Sequence, residues 1–447
     1  MSYSTRTNGN QDAAKPLSSI MSLLNTEIQS EKDDQLYWWS GLSQPLHTLL
    51  ETCQYSEDDQ LSYMRWFHQY IIPSLGPRPV NGGPYYGAWL TYNGSSLEYS
   101  LNWKEKGPPG LETIRFTIEP CSKAAGTPAD PLNQDAAPKL LRNLARVSPG
   151  INLARYELFH AEMRVPSDAA DAIRSKNPPG APLTGNWVAF DLERRGAGAT
   201  AKAYFLPHMK AVLTGLPPQT IVFDAMRKCN GKYGSYDGSI QLLDSYLESF
   251  ATRGAEAPMV VMLSNDCVPD GPSCRSKVYV QGAVGSLAHA RDMFSLGGRL
   301  TGPLAREGLE AVSELWRHLF CFSSRAEADA DADTVVWEDG RKFLCVYEMR
   351  PTLPGEPVVD MEVKLHLPGW RLGQTDAQLA QRLAAWFEKH GHASLAARYQ
   401  PDLAATFPDH DLSSVETTHT WISITWTPKN GLYMTMYYTP KLPEIHN

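Results

Sequence analysis

Residues 420–438 read Thr-Trp-Ile-Ser-Ile-Thr-Trp-Thr-Pro-Lys-Asn-Gly-Leu-Tyr-Met-Thr-Met-Tyr-Tyr. Two runs rich in β-branched and aromatic residues, 420–426 and 432–438, flank Pro428-Lys-Asn-Gly431, which is a hairpin signal. Immediately upstream, 375–390 and 394–406 read as helices, so the chain ends in two helices followed by two strands. Working back toward the N-terminus, the order recurs. Helices at 286–294 and 304–320 precede strands at 342–349 and 360–367, and helices at 217–228 and 238–252 precede strands at 258–264 and 275–281. Helices at 137–147 and 152–163 precede strands at 186–192 and 200–206. At the start, helices at 36–52 and 58–72, the second striped by Leu61, Met64, Trp66, Phe67 and Tyr70, precede strand-like segments at 86–92, 97–103 and 113–119. Identity between the units is weak; only the element order repeats. That order fits a sheet with helices on one side, separate α+β domains, or an antiparallel barrel ringed by helices. About ten strands are enough to close such a barrel, and closure would remove the exposed edges.

The bulk properties narrow the class. The chain has 447 residues, 42% hydrophobic and 20% charged, as expected of a globular protein with a large core. A formal net charge of −8 argues against nucleic-acid binding by bulk electrostatics, so any cationic site is local. No apolar run approaches the ~20 residues of a membrane helix, and the polar start MSYSTRTNGNQDAAK does not resemble a secretory signal. Seven cysteines are scattered without Cys-x-x-Cys spacing, which fits a reducing, intracellular compartment. Residues 1–15 read as disordered and 441–447 as a tail. Residues 321–341, with Asp329, Asp331 and Asp333, read as an exposed acidic loop rather than a metal site.

Familiar catalytic motifs are missing. There is no Walker loop, no dinucleotide-binding glycine pattern, no His-Glu-x-x-His, no Gly-x-Ser-x-Gly and no Asp-Asp-x-x-Asp. Leu296-Gly-Gly-Arg-Leu300 reads as a turn, and His208, His318 and His419 read as packing or surface residues. What recurs is a cation followed two residues later by a ring: Lys202 and Tyr204, Lys277 (after Arg275) and Tyr279, Lys364 and His366. Residues two apart on a strand share a face, so cation and ring point together. Two readings stay open. These faces, with Glu98 and Arg115 on earlier strands, could look outward into water, or they could converge on one positive, ring-lined interior. A barrel interior full of charge would be costly without a ligand to hold.

The segments that carry these residues resemble a known family. LEYSLNW around Glu98, IRFTIEP around Arg115, FDL at 190–192 followed by KAYFLP at 202–207, RSKVYV at 275–280 and SLGGRL at 295–300 are similar to the dimethylallyltryptophan synthase-type aromatic prenyltransferases of fungi. So are YEM at 347–349, VKLHLP at 363–368, WISITWTPKNGLYMTMYY at 421–438, and the early segment from YWW to IIPSLGP at 37–77. The likeness runs from about 36 to 438, in order. It implies an α+β fold: a single antiparallel ten-stranded β-barrel surrounded by helices, built from αα-ββ units and spanning 16–440. It also implies metal-independent Friedel–Crafts alkylation, in which dimethylallyl diphosphate ionises and an electron-rich ring captures the allyl cation. No cofactor or essential metal is expected. The expected partners are small-molecule substrates, with no nucleic acid or membrane, for a cytoplasmic monomer or homodimer.

By the same resemblance, Arg115, Lys202, Arg275, Lys277 and Lys364 would neutralise the diphosphate, with Lys429 a further candidate. Tyr204, Tyr279 and Tyr437 would shield the allyl cation by cation–π attraction and by excluding water. Glu98 would accept an indole N–H. Two positions depart from the pattern. His366 stands where a third shielding tyrosine is expected. Glu193 follows FDL where tryptophan C4-prenylating members carry a lysine; it could take the ring proton if it points inward, but C4 specificity does not transfer. The acceptor implied is tryptophan, a tryptophan-containing cyclic dipeptide or a related alkaloid. The alternatives are a phenolic or other non-indole aromatic, and a non-catalytic barrel that binds a small anion.

Overall fold

A computed structural model describes residues 19–28, 33–81, 83–196, 198–272, 274–283, 285–320, 342–356, 360–414 and 417–442. Its centre is a closed barrel of ten antiparallel strands in sequence order: β1 (Leu97–Lys104), β2 (Thr113–Ile118), β3 (Asn186–Leu192), β4 (Ala199–Phe205), β5 (Met259–Asp266), β6 (Ser276–Gln281), β7 (Leu344–Met349), β8 (Glu362–Pro368), β9 (His419–Thr427) and β10 (Gly431–Tyr438). β10 closes on β1, with Tyr99 opposite Tyr438 and Lys104 opposite Tyr433. Of the three arrangements compatible with the element order, this is the closed one.

Outside the strands, the described residues form helices α1 (Ser19–Glu27), α2 (Asp33–Thr52), α3 (Glu57–Trp66), α4 (Ala136–Val147), α5 (Ala154–Met163), α6 (Ala170–Lys176), α7 (His208–Thr214), α8 (Pro218–Arg227), α9 (Asp237–Arg253), α10 (Leu287–Phe294), α11 (Pro303–Phe320), α12 (Asp376–Lys389) and α13 (Ala393–Thr406). Each strand pair follows a group of helices, three before β1–β2, β3–β4 and β5–β6 and two before β7–β8 and β9–β10. Local caps fix several starts. Ser56 accepts from the Asp59 N–H at 3.2 Å before α3, and Thr375 with Gln378 forms a reciprocal capping box before α12. α1, α6 and α7 were not read from the sequence; the last two are seven residues each, too short for a clear 3.6-residue period.

The core lies between barrel and helices. Tyr99, Leu101 and Trp103 of β1, Ile114, Phe116 and Ile118 of β2, and Met434, Met436 and Tyr438 of β10 bury in one cluster with Leu42, Leu46, Phe67, Leu383 and Phe387 of the helical layer. Alternation then turns Glu98, Ser100, Arg115, Tyr433 and Tyr437 into the lumen. The apolar half of each strand is therefore spent on the helices, and the polar half lines the interior.

One expected strand is absent. Residues 86–92 form irregular backbone, because the N–H groups of Trp89 and Leu90 donate to the Glu119 carboxylate at 2.7 and 2.9 Å rather than to a neighbouring strand. The turn at Leu296-Gly-Gly is present, with positive φ at Leu296, Gly297 and Gly298. The acidic loop expected at 321–341, residues 1–15 and all of the expected tail except Lys441 and Leu442 lie outside the described residues. The described cysteines 53, 121, 229, 267, 274 and 345 are free thiols.

Candidate active site

The barrel gives the cation–ring pattern a direction. Every strand alternates in sense, so β2, β4, β6, β8 and β10 all run the same way, away from the turns that join each strand pair. Lys202, Lys277 and Lys364 sit on β4, β6 and β8, and Tyr204, Tyr279 and His366 lie two residues further along the same strands. A step of two residues is about 6.6 Å. The rings are therefore displaced from the cations in one common axial direction, and two tiers result.

The cation tier is paired with carboxylates. Arg115 on β2 meets Asp191 on β3 at 3.1 Å, and Lys202 donates to the same Asp191. Arg275, just before β6, meets Asp266 on β5 at 2.8 Å and Glu348 on β7 at 3.0 Å. Lys277 lies 3.6 Å from Asp266, and Lys364 lies 3.0 Å from Glu362. Burial opposes ionisation of Asp191, Asp266 and Glu348, yet the surrounding cations win: Asp191 and Asp266 stay below the usual carboxylate range and Glu348 is held at about 2. Lys277 goes the other way. Burial, with Arg275 and Lys202 nearby, outweighs Asp266 and draws its ammonium down to about 8.

Tyr433 on β10 also belongs to this tier. Its hydroxyl accepts from the Arg115 guanidinium at 2.9 Å, and the Lys364 ammonium lies 4.4 Å from its ring centre. Burial would raise the phenol, but Arg115 and Lys364 together lower it to about 7. Tyr433, Asp191, Asp266, Glu348 and Glu362 were not singled out from the sequence. Strand parity could have found the first two, since Tyr433 shares a face with Tyr437, and Asp191 has the opposite parity to the buried apolar Val188, Phe190 and Leu192 of its strand.

The ring tier is continuous. Tyr204 and Tyr279 have ring centroids 6.0 Å apart, Tyr279 and His366 6.1 Å, and His366 and Tyr437 5.8 Å. All three phenols are raised by burial and are un-ionised at neutral pH. Beyond the rings, on β1, Glu98 is 6% exposed and accepts the Thr420 hydroxyl of β9. Burial raises its carboxyl to about 8, against the lowering effect of that hydrogen bond. Trp187, near the start of β3 and opposite Tyr204, stacks on Trp89 at 6.1 Å, and Tyr92 stacks on Trp370, just past β8, at 4.5 Å. The irregular segment that replaces the expected strand thus sets two aromatic residues at this end of the barrel.

Two expected residues lie apart from these tiers. Lys429 is exposed in the β9–β10 turn. Glu193 is exposed one residue past β3, where its N–H donates to the Gly198 carbonyl at 3.2 Å and its carbonyl accepts the Tyr63 hydroxyl. Glu98 pairs with Thr117 and Thr117 with Ala189, so Glu193 is four residues further along β3. That is about 13 Å, on the far side of the Asp191–Arg115 pair.

Residues 34–402 match the family described as tryptophan dimethylallyltransferase. The chain belongs to that family. Membership makes it an enzyme, a prenyltransferase. It is 46% identical over 448 residues to a prenyltransferase of Pestalotiopsis fici named iacE, covering 100% of both chains. It is 31% identical over 416 residues to the 7-dimethylallyltryptophan synthase of Aspergillus fumigatus, covering 90% of this chain and 84% of the relative. Among solved structures it resembles AnaPT from Neosartorya fischeri with a TM-score of 0.81 at 25% identity, covering 96% and 99% of the two chains. NotF, solved in complex with brevianamide F and DMSPP, shares the fold with a TM-score of 0.78 at 24% identity over 95% and 98%.

Proposed function

We propose that this prenyltransferase moves a dimethylallyl group from dimethylallyl diphosphate to an indole acceptor, tryptophan or a tryptophan-containing cyclic dipeptide or alkaloid, by metal-independent Friedel–Crafts alkylation. The observation that carries the reading is the fixed axial offset between the cation tier and the ring tier. A diphosphate seated on Arg115, Lys202, Arg275, Lys277 and Lys364 extends its allyl tail into the rings of Tyr204, Tyr279, His366 and Tyr437. The cations stabilise the departing negative charge, and the rings stabilise the allyl cation and keep water from it. Glu98, on the other side of the rings, accepts the indole N–H, orients the ring and enriches its π-system. Lys429, at the turn end, would meet the diphosphate as it enters. Glu193, at the same end, is poorly placed to take a ring proton beside Glu98.

The donor set supports metal independence, since ammonium and guanidinium groups occupy the position that needs positive charge. No helix among the described residues is long and apolar enough to cross a membrane, which is compatible with cytoplasmic small-molecule chemistry. Incubation with dimethylallyl diphosphate and a panel of tryptophan, cyclic dipeptides and phenols, followed by product NMR, tests the reading; no turnover of any indole would sink it. A second reading, a phenolic or other non-indole aromatic acceptor, is separated from the first by the same panel. A third, a barrel that binds an anion without turnover, would show donor binding and no product.

A further inference from the structure

We propose that His366 is the catalytic base that removes the ring proton after the new carbon–carbon bond has formed. The inference rests on the prenyl-transfer reading. It starts from where the imidazole sits. His366 lies on the lumen face of β8, opposite Leu344 on β7 and Ser423 on β9. It is 7% exposed, and it fills the ring tier between Tyr279 and Tyr437. The other three rings of that tier are un-ionised phenols, which are poor proton acceptors. His366 is the one member with a basic lone pair.

Other carboxylates are otherwise engaged or distant. Asp191, Asp266, Glu348 and Glu362 are tied to cations one tier away, Glu98 is assigned the indole N–H, and Glu193 lies beyond the cation tier. The charged groups facing His366 are Lys364 on its own strand and Lys277 on β6. Burial first, and then these two lysines, lower the imidazole to about 3, so it waits in the neutral form at every working pH. Bound diphosphate offsets both lysines. The imidazole therefore becomes more basic when the donor is in place, and an arenium ion is acidic enough to need only a weak base.

The steps balance. The allylic C–O bond breaks with its electron pair leaving on diphosphate, and a ring carbon of the acceptor bonds to the allyl cation. The C–H bond at that ring carbon then breaks, its electron pair restores aromaticity, and the proton goes to an imidazole nitrogen. On product release the proton passes to diphosphate, and the imidazole is neutral again.

His366→Phe separates this role from shielding, because it keeps a ring in the cage and removes the base. The probe is whichever of tryptophan, cyclic dipeptide or phenol wild type turns over, protiated and ring-deuterated. The expected result is a loss of about 10²-fold in turnover, with an isotope effect well above unity that wild type lacks. Loss of turnover with no isotope effect, and more dimethylallyl alcohol from water capture, overturns the inference in favour of a shielding ring. So does a product that retains every ring deuteron. If His366→Phe does not fold, His366→Ala with added imidazole replaces it; rescue supports the base and absence of rescue overturns it. Failure of wild type to prenylate any aromatic sinks the prenyl-transfer reading itself, which is a separate result.

Discussion

Glu98 sits 6% exposed beyond the ring tier, and the Thr420 hydroxyl is its one hydrogen-bond donor among the described residues. Its carboxyl titrates at about 8, so in the empty barrel it is mostly protonated at neutral pH. A carboxylate accepts an N–H more strongly than a carboxylic acid does. With the folded pKa raised, kcat/KM for an indole acceptor is expected to climb between pH 7 and 9 and level off above. Glu98→Gln should remove that limb and lower turnover by about 10²-fold; survival within a few-fold would show that Glu98 does not hold the indole. The same raised pKa fixes a stability trend. The protonated carboxyl favours the fold below its unfolded pKa, and that contribution is lost as pH rises through about 8. Thermal unfolding should therefore show Glu98→Gln gaining on wild type at pH 9 and not at pH 4.

At the scale of a strand, one two-residue step divides the labour of β4, β6 and β8. The first residue of each pair meets charge, and the second meets carbon. Lys277 makes this testable, because burial draws it down to about 8 while an arginine stays charged. Above pH 8 the empty clamp loses a positive charge, so the KM for dimethylallyl diphosphate should rise several-fold by pH 9.5. In Lys277→Arg that rise should vanish; an unchanged pH profile would mean that Lys277 does not meet the donor. The β9–β10 turn offers a separate check on stability. Gly431 has φ +64, and an added Cβ would run into the Glu105 carboxylate, which accepts the Leu432 N–H at 2.9 Å. Gly431→Ala should cost about 1–3 kcal/mol, read from the denaturation midpoint. The 86–92 segment teaches the opposite lesson: an alternation that looks strand-like yields irregular backbone once the buried Glu119, itself raised to about 7 by burial, supplies a better partner for two N–H groups.

For the whole molecule, closure is what makes a clamp from separate strands. Arg115 on β2 reaches Tyr433 on β10 only because β1 pairs with both neighbours. The five lysines and arginines proposed for the diphosphate come from four strands spread around the barrel, and each is paired with an acid. Such a built-in positive site predicts that chelation with EDTA leaves the initial rate with dimethylallyl diphosphate within about twofold, since fixed cations take the metal's electrostatic role. Loss of activity on chelation, restored by magnesium, would contradict the proposed metal-independent chemistry.

Much of this is legible in the sequence. The helix-helix-strand-strand order, the hairpin at Pro428-Lys-Asn-Gly431 and the same-face pairing of Lys202 with Tyr204 and Lys277 with Tyr279 are local properties. They are written in residue type and spacing, which act within a few residues along the chain. Whether those faces looked outward or inward was not local. It was decided by the helices, which bury Tyr99, Phe116, Met436 and their neighbours and so turn the opposite parity into the lumen. The acids that partner the cations, the lowered phenol of Tyr433 and the setting of His366 between Tyr279 and Tyr437 come from strands far apart in sequence. Electrostatics and ring packing depend on distance in space, and only closure of the barrel sets that distance.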